Sequence, residues 1–266
     1  MTAINKHYRA IFISDVHLGT RGCQAQRLAS FLKHHTCDEL YLVGDIIDGW
    51  RLKYNFYWPQ EHSNVMRRFL TKARRGTKVT YITGNHDEFL RRYSDCEFGQ
   101  IRIVDQVSHI AADGKRLLVV HGDRFDIITR YHRWLAFLGD IGYSFLLRAN
   151  HWVHLLRRQF GYEYWSLSGW LKYRVKRAVN YISEYEAGLS RHCSKAGYDG
   201  VICGHIHHAE ITSMNDVVYM NCGDWVESCT ALVEDHEGQF SIVHWSEADV
   251  ARCNGQVVSI PRRYAA

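Results

Sequence analysis

Five short polar motifs stand out in this chain because each follows an apolar run of the kind that forms a β-strand. A lone carboxylate at such a point most often caps a turn or a helix, but imidazoles and carboxylates that recur at five strand ends indicate metal binding. As ligands they would form two sets that could share Asp45, which is the arrangement a two-metal hydrolase of phosphate esters requires. The motifs are Asp15-Val-His17, Gly44-Asp45-Ile-Ile-Asp48, Gly84-Asn85-His86-Asp87, His121-Gly122-Asp123 and Gly204-His205-Ile-His207.

The segments between these motifs show how the first half of the chain would position them. Apolar runs at Arg9–Ser14, Glu39–Val43 and Lys78–Thr83 predict strands, and amphipathic patterns at Gln24–His35 and Glu61–Ala73 predict helices. This alternation is typical of parallel βαβ units, which place their sites at the carboxyl ends of the strands. The positions of the first three motifs agree with this prediction.

After Gly99 the pattern changes to short strands separated by turn signals. We therefore predict one α/β domain over residues 1–266, in which two packed β-sheets lie between helices and both ends of the chain contribute to the sandwich. The later predicted strands are Ile101–Val104, Ser108–Ala112, Leu117–His121, Gly200–Cys203, Ala209–Ser213, Val217–Asn221, Cys229–Glu234 and Gln239–Trp245.

A segment of different composition, residues 126–180, separates the fourth motif from the fifth. It is rich in large apolar side chains such as Trp134, Phe137, Phe145 and Trp152, and its basic residues outnumber its acidic ones. We predict a helical insertion within the domain. Its aromatic residues could simply pack a helical hairpin against the body, or they could form an apolar groove with a cationic rim for acyl chains and a phosphate group or a membrane surface.

Composition limits the class of protein. The chain has 266 residues, a net charge of +5 and a pI near 8.7, which favours anionic partners without requiring nucleic acid. No run approaches the roughly 18 apolar residues of a membrane-spanning helix, and no signal peptide is evident. The eight cysteines form no C-x-x-C pair and predict neither a zinc knuckle nor a disulfide framework. We expect a cytoplasmic protein, which could lie peripherally on the inner membrane.

The order of the five motifs resembles that of the calcineurin-like metallophosphoesterase superfamily. This resemblance implies a four-layer α/β/β/α sandwich with two divalent metal ions. It also implies that Asp45 bridges the two ions. The residues that match the ligands of the first metal are Asp15, His17, Asp45 and His207, and those that match the ligands of the second are Asp45, Asn85, His121 and His205.

Such a centre would orient a shared water in line with a phosphorus atom and neutralise charge on the phosphoryl oxygens. Oxygen and imidazole ligands suit manganese, which we expect, as well as iron or zinc. His86 lies outside the implied ligand set and is the better candidate for donating a hydrogen bond or proton to the leaving oxygen. Asp48 could orient His86, or it could merely cap a turn.

A closer resemblance concerns the UDP-2,3-diacylglucosamine diphosphatases of the lipid A pathway and related proteins. It rests on Asp15-Val-His17-Leu-Gly19, Gly44-Asp45-Ile-Ile-Asp48-Gly-Trp50, the insertion and Gly204-His205-Ile-His207-His208. It implies hydrolysis of a lipid-linked nucleotide sugar to UMP and an acylated sugar phosphate, with the acyl chains held by the insertion. At His86 the diphosphatases generally carry arginine, and this chain follows the wider superfamily.

Candidates for contacts with the substrate are Asn85 and, by approximate position on the insertion, Arg174, Lys176 and Arg177, which could equally form an exposed basic face. Two other functions stay open. One is a phosphodiesterase or phosphatase that acts on a soluble nucleotide or another substrate, and the other is a non-catalytic scaffold, against which the complete motifs argue. A nucleic-acid substrate is disfavoured because the basic residues are interleaved with large aromatic ones instead of forming a broad track.

Overall fold

The computed structural model describes residues 5–125, 185–214 and 216–253. The chain divides into two units, one of Met1–Asp123 with Leu189–Ala266 and the other of Arg124–Gly188. Apart from residues 185–188, the elements described below belong to the first unit. The predicted insertion at 126–180, together with Arg174, Lys176 and Arg177, lies outside the described residues. Its helical structure, its place within a single domain and its role in binding therefore stay predictions.

The described residues form an α/β structure with two sheets. The helices are α1 (Ala25–His34), α2 (Gly49–Tyr54), α3 (Gln60–Arg74), α4 (helical over residues 185–195) and α5 (Glu247–Cys253). The strands are β1 (His7–Ile13), β2 (Thr36–Val43), β3 (Lys78–Ile82), β4 (Glu97–Phe98), β5 (Ile101–Val104), β6 (Gln106–Ile110), β7 (Arg116–Val120), β8 (Gly200–Cys203), β9 (Glu210–Met214), β10 (Val217–Asn221), β11 (Thr230–Glu234) and β12 (Phe240–His244).

Both ends of the described chain enter the first sheet, as predicted. Its seven strands follow the order β12-β11-β1-β2-β3-β5-β4, and the second sheet follows the order β6-β7-β8-β10-β9. Strands β1, β2, β3 and β5 are mutually parallel, as are β7, β8 and β10. Strands β4 and β11 run antiparallel to the first set, β6 and β9 run antiparallel to the second, and β12 pairs antiparallel with β11. The carboxyl ends of the parallel strands in each sheet therefore share one edge.

Alternating side chains of β1 show how the two hydrophobic cores arise. Ile11 and Ile13 point to a core shared with α1 and α3, whereas Ala10 and Phe12 point to a core between the sheets that includes Val119 of β7. Successive side chains of a strand face opposite sides, so a strand buried on both faces is apolar nearly throughout. The predicted sandwich of two sheets flanked by helices is confirmed.

The helices pack through apolar residues at helical spacing, as the sequence indicates. Leu28, Phe31 and Leu32 of α1 are fully or almost fully buried, as are Val65 and Phe69 of α3. No helix among the described residues is long and apolar enough to cross a membrane.

Several features differ from the sequence predictions. Strand β2 starts at Thr36, earlier than predicted, because its first residues alternate between exposed and buried and include polar ones, and β6 lies two residues before its predicted range. Helix α4 and strand β4 were not predicted. Helix α2 and helix α5 were not predicted either, since each is too short to show a full apolar period. The signal for α5 was nevertheless present, because Ser246 and Asp249 form a reciprocal cap at its start.

Candidate metal centre

The predicted ligand residues sit in tight turns directly after parallel strands. Five non-glycine residues there have a left-handed backbone, with φ of 50° at Asp15, 53° at His17, 54° at Asp45, 73° at His205 and 56° at His207. This region is sparsely populated by residues with a β-carbon and costs about 1–3 kcal/mol where strained. Such conformations are concentrated at functional sites. Here they direct the side chains of these five residues toward the same region of the fold.

A first cluster of ligand atoms forms around Asp15, which follows β1. Oδ1 of Asp15 lies 3.2 Å from Nε2 of His207 and 4.0 Å from Nε2 of His17. Oδ2 accepts a hydrogen bond of 2.9 Å from the backbone N–H of His205. Ligand atoms of Asp15, His17 and His207 all lie within 4.8 Å of one another, so the three side chains can hold a single cation.

A second cluster forms around Asp45, which follows β2. Its Oδ2 lies 3.3 Å from Nε2 of His121, and ligand atoms of Asp45, His121 and His205 fall within 4.8 Å of one another. Asp45 also belongs to a group with His17 and His86, so its carboxylate lies between the two clusters. The backbone N–H of His86 donates to Asp45 Oδ1 at 2.8 Å and fixes the orientation of this carboxylate.

Asp48 performs both of the roles considered for it. Its Oδ1 accepts the backbone N–H of Arg51 at 2.8 Å and caps α2. Its Oδ2 lies 3.2 Å from Nδ1 of His17 and 3.0 Å from Nδ1 of His86. The same carboxylate thus orients two imidazoles, and the indole of Trp50 packs on His86 with a distance of 4.1 Å between ring centroids.

Close backbone packing holds the bridging carboxylate in place. A β-carbon at Gly84 would lie 2.2 Å from Oδ1 of Asp45, so only glycine fits at the start of the third motif. Buried Asp87 accepts hydrogen bonds from the backbone N–H groups of Gly84 and Ile46 and from the hydroxyl of Tyr81. These contacts tie the turn after β3 to the turn after β2.

The carboxylates and imidazoles of the two clusters shift one another's pKa values toward the charged forms. Burial alone would raise the pKa of Asp15, but His207 outweighs it and lowers this pKa to about 2. Burial likewise opposes ionisation of Asp45, yet its pKa lies well below the ordinary range because of His121. In turn, these carboxylates overcome burial and raise the pKa of His121 to about 10 and that of His207 to about 9.

Several buried donor atoms at this site make ion-pair contacts at most and no hydrogen bond within the described part of the chain. They are Asp15 Oδ1, His17 Nε2, Asn85 Oδ1 and His121 Nε2. Burying a polar atom without a hydrogen bond costs free energy, and binding of a cation would remove that cost. Together with the clusters around Asp15 and Asp45, these atoms form a donor set whose oxygen and imidazole groups fit divalent cations.

All seven predicted metal-ligand residues, with His86 and Asp48, belong to this one region. Two residues of this region had no predicted role, Asp87 in the third motif and Asn221 at the end of β10. The Asn221 amide donates to the carbonyl of Gly204 at 2.8 Å, and its side-chain oxygen accepts the N–H of Gly223 at 2.9 Å. A polar residue at a strand end, two positions before a glycine, is a signal of the kind used for the other motifs and could have identified Asn221.

Comparison with known proteins agrees with this geometry. Residues 8–209 match the sequence model of the calcineurin-like phosphoesterases. The UDP-2,3-diacylglucosamine hydrolase of Aliivibrio fischeri (strain MJ11) is 23% identical over 236 residues, which are 84% of this chain and 92% of the relative. The enzyme of the same name from Neisseria meningitidis serogroup B (strain ATCC BAA-335 / MC58) is 24% identical over 223 residues, 81% of this chain and 89% of the relative.

The solved structures to which this chain is similar are more distant in sequence. An archaeal phosphodiesterase has 14% identity and a TM-score of 0.41, and the match covers 88% of this chain and 98% of that one. Vps29 of Entamoeba histolytica complexed with zinc has 11% identity and a TM-score of 0.38, with coverage of 89% and 99%.

Proposed function

The chain belongs to the calcineurin-like phosphoesterase family, and from this premise we propose that it is a dinuclear metal-dependent diphosphatase of an acylated nucleotide sugar. The reaction would hydrolyse a UDP-2,3-diacylglucosamine-like substrate to UMP and an acylated sugar phosphate. The observation that carries the proposal is the convergence of two donor sets on Asp45 at the strand ends. The relatives named UDP-2,3-diacylglucosamine hydrolase support the substrate class.

In this proposal Asp15, His17, Asp45 and His207 hold one cation, and Asp45, Asn85, His121 and His205 hold the other. When bound, two divalent cations such as Mn²⁺, Fe²⁺ or Zn²⁺ would supply positive charge for the phosphoryl oxygens and lower the pKa of a nucleophilic water. The protein fixes the carboxylates for this task through the backbone N–H groups of His205 and His86. No protein side chain needs to form a covalent bond to phosphorus.

His86 is proposed to assist the leaving group. Its Nδ1 faces Asp48 at 3.0 Å, which leaves Nε2 as the atom able to donate to a leaving oxygen. A carboxylate behind an imidazole fixes its tautomer and its orientation. His86 also lies within ligand distance of Asp45 and His17, so metal content must be measured alongside activity to separate the two roles.

A second candidate function follows from His86 itself. Since this chain carries the histidine of the wider superfamily at this position, a phosphodiesterase or phosphatase acting on a soluble substrate is the alternative. Both functions use the same metal centre. They differ in whether acyl chains must also be bound beside it. The basic residues Arg174, Lys176 and Arg177 remain proposed phosphate contacts for the acylated substrate.

The deciding experiment is product analysis with metal-stripped protein. UDP-2,3-diacylglucosamine, unacylated UDP-N-acetylglucosamine and a synthetic phosphodiester are each incubated with added Mn²⁺, Fe²⁺ or Zn²⁺, and UMP and phosphate are quantified. We expect UMP from the acylated substrate with Mn²⁺ and none with the Asp45→Ala variant. Turnover of the synthetic diester alone would favour the alternative, and metal-independent turnover of all three would contradict the proposal.

A further inference from the structure

A second group of possible metal ligands lies away from the candidate metal centre. It consists of His7 on β1, Asp38 on β2 and His236 in the turn between β11 and β12, and one ligand atom from each lies within 4.8 Å of the others. Within residues 5–125, 185–214 and 216–253, it is the only such group that shares no residue with the candidate metal centre. We call these three residues the His7 cluster.

The topology places the His7 cluster at the edge of the first sheet opposite the candidate metal centre. His7 begins β1 and Asp38 lies near the start of β2, whereas the predicted ligands Asp15 and Asp45 follow the ends of these two strands. Strand β11 runs antiparallel to β1, so the turn after β11 lies beside the start of β1. Strand β1 alone spans about 20 Å, so the two sites cannot share an ion.

The imidazole of His7 is oriented in the way that is common for metal-ligating histidines, by a polar partner on its second nitrogen. Its Nδ1 lies 2.8 Å from Oγ1 of Thr36, the residue that pairs with it on β2, and its Nε2 lies 3.1 Å from Oδ1 of Asp38. Two donor atoms on one tetrahedral zinc ion are roughly 3.3 Å apart. The Nε2 and Oδ1 atoms therefore stand at nearly the separation that a shared ion requires.

The turn that carries His236 is fixed from two sides. Oδ1 of Asp235 accepts two backbone N–H groups of this turn, at 3.1 and 2.8 Å. Gly238 packs against the turn between β6 and β7, where a β-carbon would lie 3.0 Å from the backbone nitrogen of Asp113. The His236 ring stacks on that of His7, with 5.4 Å between ring centroids. The third donor is thus held beside the other two without any further ordering of the chain.

The donor types of the His7 cluster select the class of metal. Two imidazoles and one carboxylate suit Zn²⁺, Ni²⁺ or Cu²⁺, whereas Mg²⁺ and Ca²⁺ take mainly oxygen ligands. Asp38 is the only carboxylate of the cluster, and basic residues such as Lys33 and Arg75 line the cavity beside His7 and Asp38. Positive charge there opposes a cation that is held by charge alone, so binding must come from the imidazole nitrogens.

From these observations we propose that His7, Asp38 and His236 form a separate metal site that binds Zn²⁺ or a similar transition metal and leaves a coordination position for water. A bound ion joins the starts of β1 and β2 to the turn between β11 and β12, and these segments come together only in the folded chain. Its binding therefore stabilises the folded state. This inference goes beyond the proposed function and does not depend on it.

The test counts the Zn²⁺ ions that the metal-stripped full chain binds in equilibrium dialysis at a buffered Zn²⁺ concentration. His236→Ala and Asp38→Asn should each bind one ion fewer than the unaltered protein. Thr36→Val removes the hydroxyl beside His7 and should weaken binding of the same ion about tenfold or more, since residues that orient a ligand typically contribute about 10–100-fold. Zn²⁺ should also raise the Tm of the unaltered protein more than that of His236→Ala.

His244→Ala is the matched control, because His244 is another exposed histidine of the β11–β12 hairpin. It should bind as many Zn²⁺ ions as the unaltered protein. An unchanged ion count in His236→Ala, or an equal loss in His244→Ala, would overturn the proposal. Displacement of the ion by an equal concentration of Mg²⁺ would also overturn it, because the site would then hold cations by charge alone.

The Asp45→Ala variant separates this site from the candidate metal centre. It should keep the ion of the His7 cluster, and the further substitution His236→Ala should remove that ion. His236→Ala alone should leave metal-dependent hydrolysis of a soluble phosphodiester unchanged. If the unaltered protein binds a Zn²⁺ ion that His236→Ala loses but hydrolyses nothing, the enzymatic proposal fails and this site stands. Normal hydrolysis without loss of an ion in His236→Ala would give the opposite result.

Discussion

At the level of single residues, the candidate metal centre contains unfavourable left-handed backbone conformations, and these conformations set the direction of its side chains. His205 and His207 both have a left-handed backbone, and the one residue between them allows both imidazoles to face the same edge. Asp15 and Asp45 adopt the same conformation after their strands. The residue types can indicate such turns, because Asp, Asn and His adopt a left-handed backbone more readily than most residues do. They cannot show that five such residues lie close together in the fold.

The bridging role of Asp45 gives the first prediction. Asp45→Ala should reduce metal content at both sites, because its carboxylate belongs to the second cluster and to a group that shares His17 with the first, whereas His207→Ala should weaken mainly the site at Asp15. Metal analysis of the purified variants measures this directly. His208→Ala is the matched control, since the exposed His208 faces Glu210 at 3.5 Å instead of the cluster. Two ions retained per chain by Asp45→Ala would show that the bridge is elsewhere.

His86 gives the second prediction, which separates catalysis from metal binding. If it donates to the leaving oxygen, His86→Ala should lower kcat by roughly 10²–10⁴-fold while metal content stays the same. Asp48→Asn should lower kcat less, because the amide can still accept from one imidazole. A parallel loss of metal in His86→Ala would assign His86 to the ligand set with Asp45 and His17.

At the level of secondary-structure elements, sequence alone located most strands to within a few residues. The parallel strands were predictable because their apolar runs are continuous and end at polar motifs, and β3, for example, ends one residue before its predicted end. Helix α2 was not predictable from periodicity, since it buries no residue completely. Its start is defined by the cap from Asp48. Because Asp48 lies in a predicted metal motif, the sequence pointed first to its role in orienting His86.

An ion cluster that connects the two sheets could not be read from the sequence. His109 of β6 lies 2.7 Å from Glu234 of β11 through Nε2 and 3.4 Å from Glu39 of β2 through Nδ1. Arg9 of β1 also donates to Glu234, at 2.7 Å. The residues are far apart along the chain, and only the packing of one sheet on the other brings them together.

This ion cluster predicts how stability depends on pH. Burial would lower the pKa of His109, but Glu234 and Glu39 outweigh it and raise this pKa above its ordinary value of 6.5. A raised pKa means that the folded protein holds this proton more tightly than the unfolded chain does. The contribution of His109 is therefore complete below pH 6.5 and is lost as pH rises through the pKa in the folded state.

His109→Gln should lower the free energy of unfolding by about 1.5–3 kcal/mol at mildly acidic pH, the usual scale for a hydrogen bond to a charged group. Arg9 remains to pair with Glu234, which limits the loss. The difference from the unaltered protein should shrink as pH rises, and urea unfolding across a pH series measures it. His244→Gln, at an exposed histidine of β12, should show no such trend. A constant difference at every pH would contradict the charged state of His109.

At the level of the whole molecule, the strand and helix patterns predicted the two-sheet sandwich, and the five motifs predicted which strand ends would lie together. The motifs were informative because each one combines ligand chemistry with a strand end. Substrate choice is less accessible from the sequence, because the predicted insertion at 126–180 is recognised only by its apolar and charged composition. Several kinds of partner share that composition.

The last prediction concerns that choice and uses the acyl chains as the variable. If the aromatic residues of the insertion, Trp134, Phe137, Phe145 and Trp152 among them, line a groove for acyl chains, each buried methylene should contribute about 0.8 kcal/mol to binding. The value of kcat/KM should then rise with chain length in a series of acylated UDP-glucosamine analogues until the groove is filled. Hydrolysis of a water-soluble phosphodiester is the reference reaction.

If the aromatic residues only form the core of a hairpin, chain length will have no effect and ionic strength will control anion binding. Equal kcat/KM across the series would therefore remove the lipid substrate from consideration and leave the soluble phosphodiesterase as the better proposal.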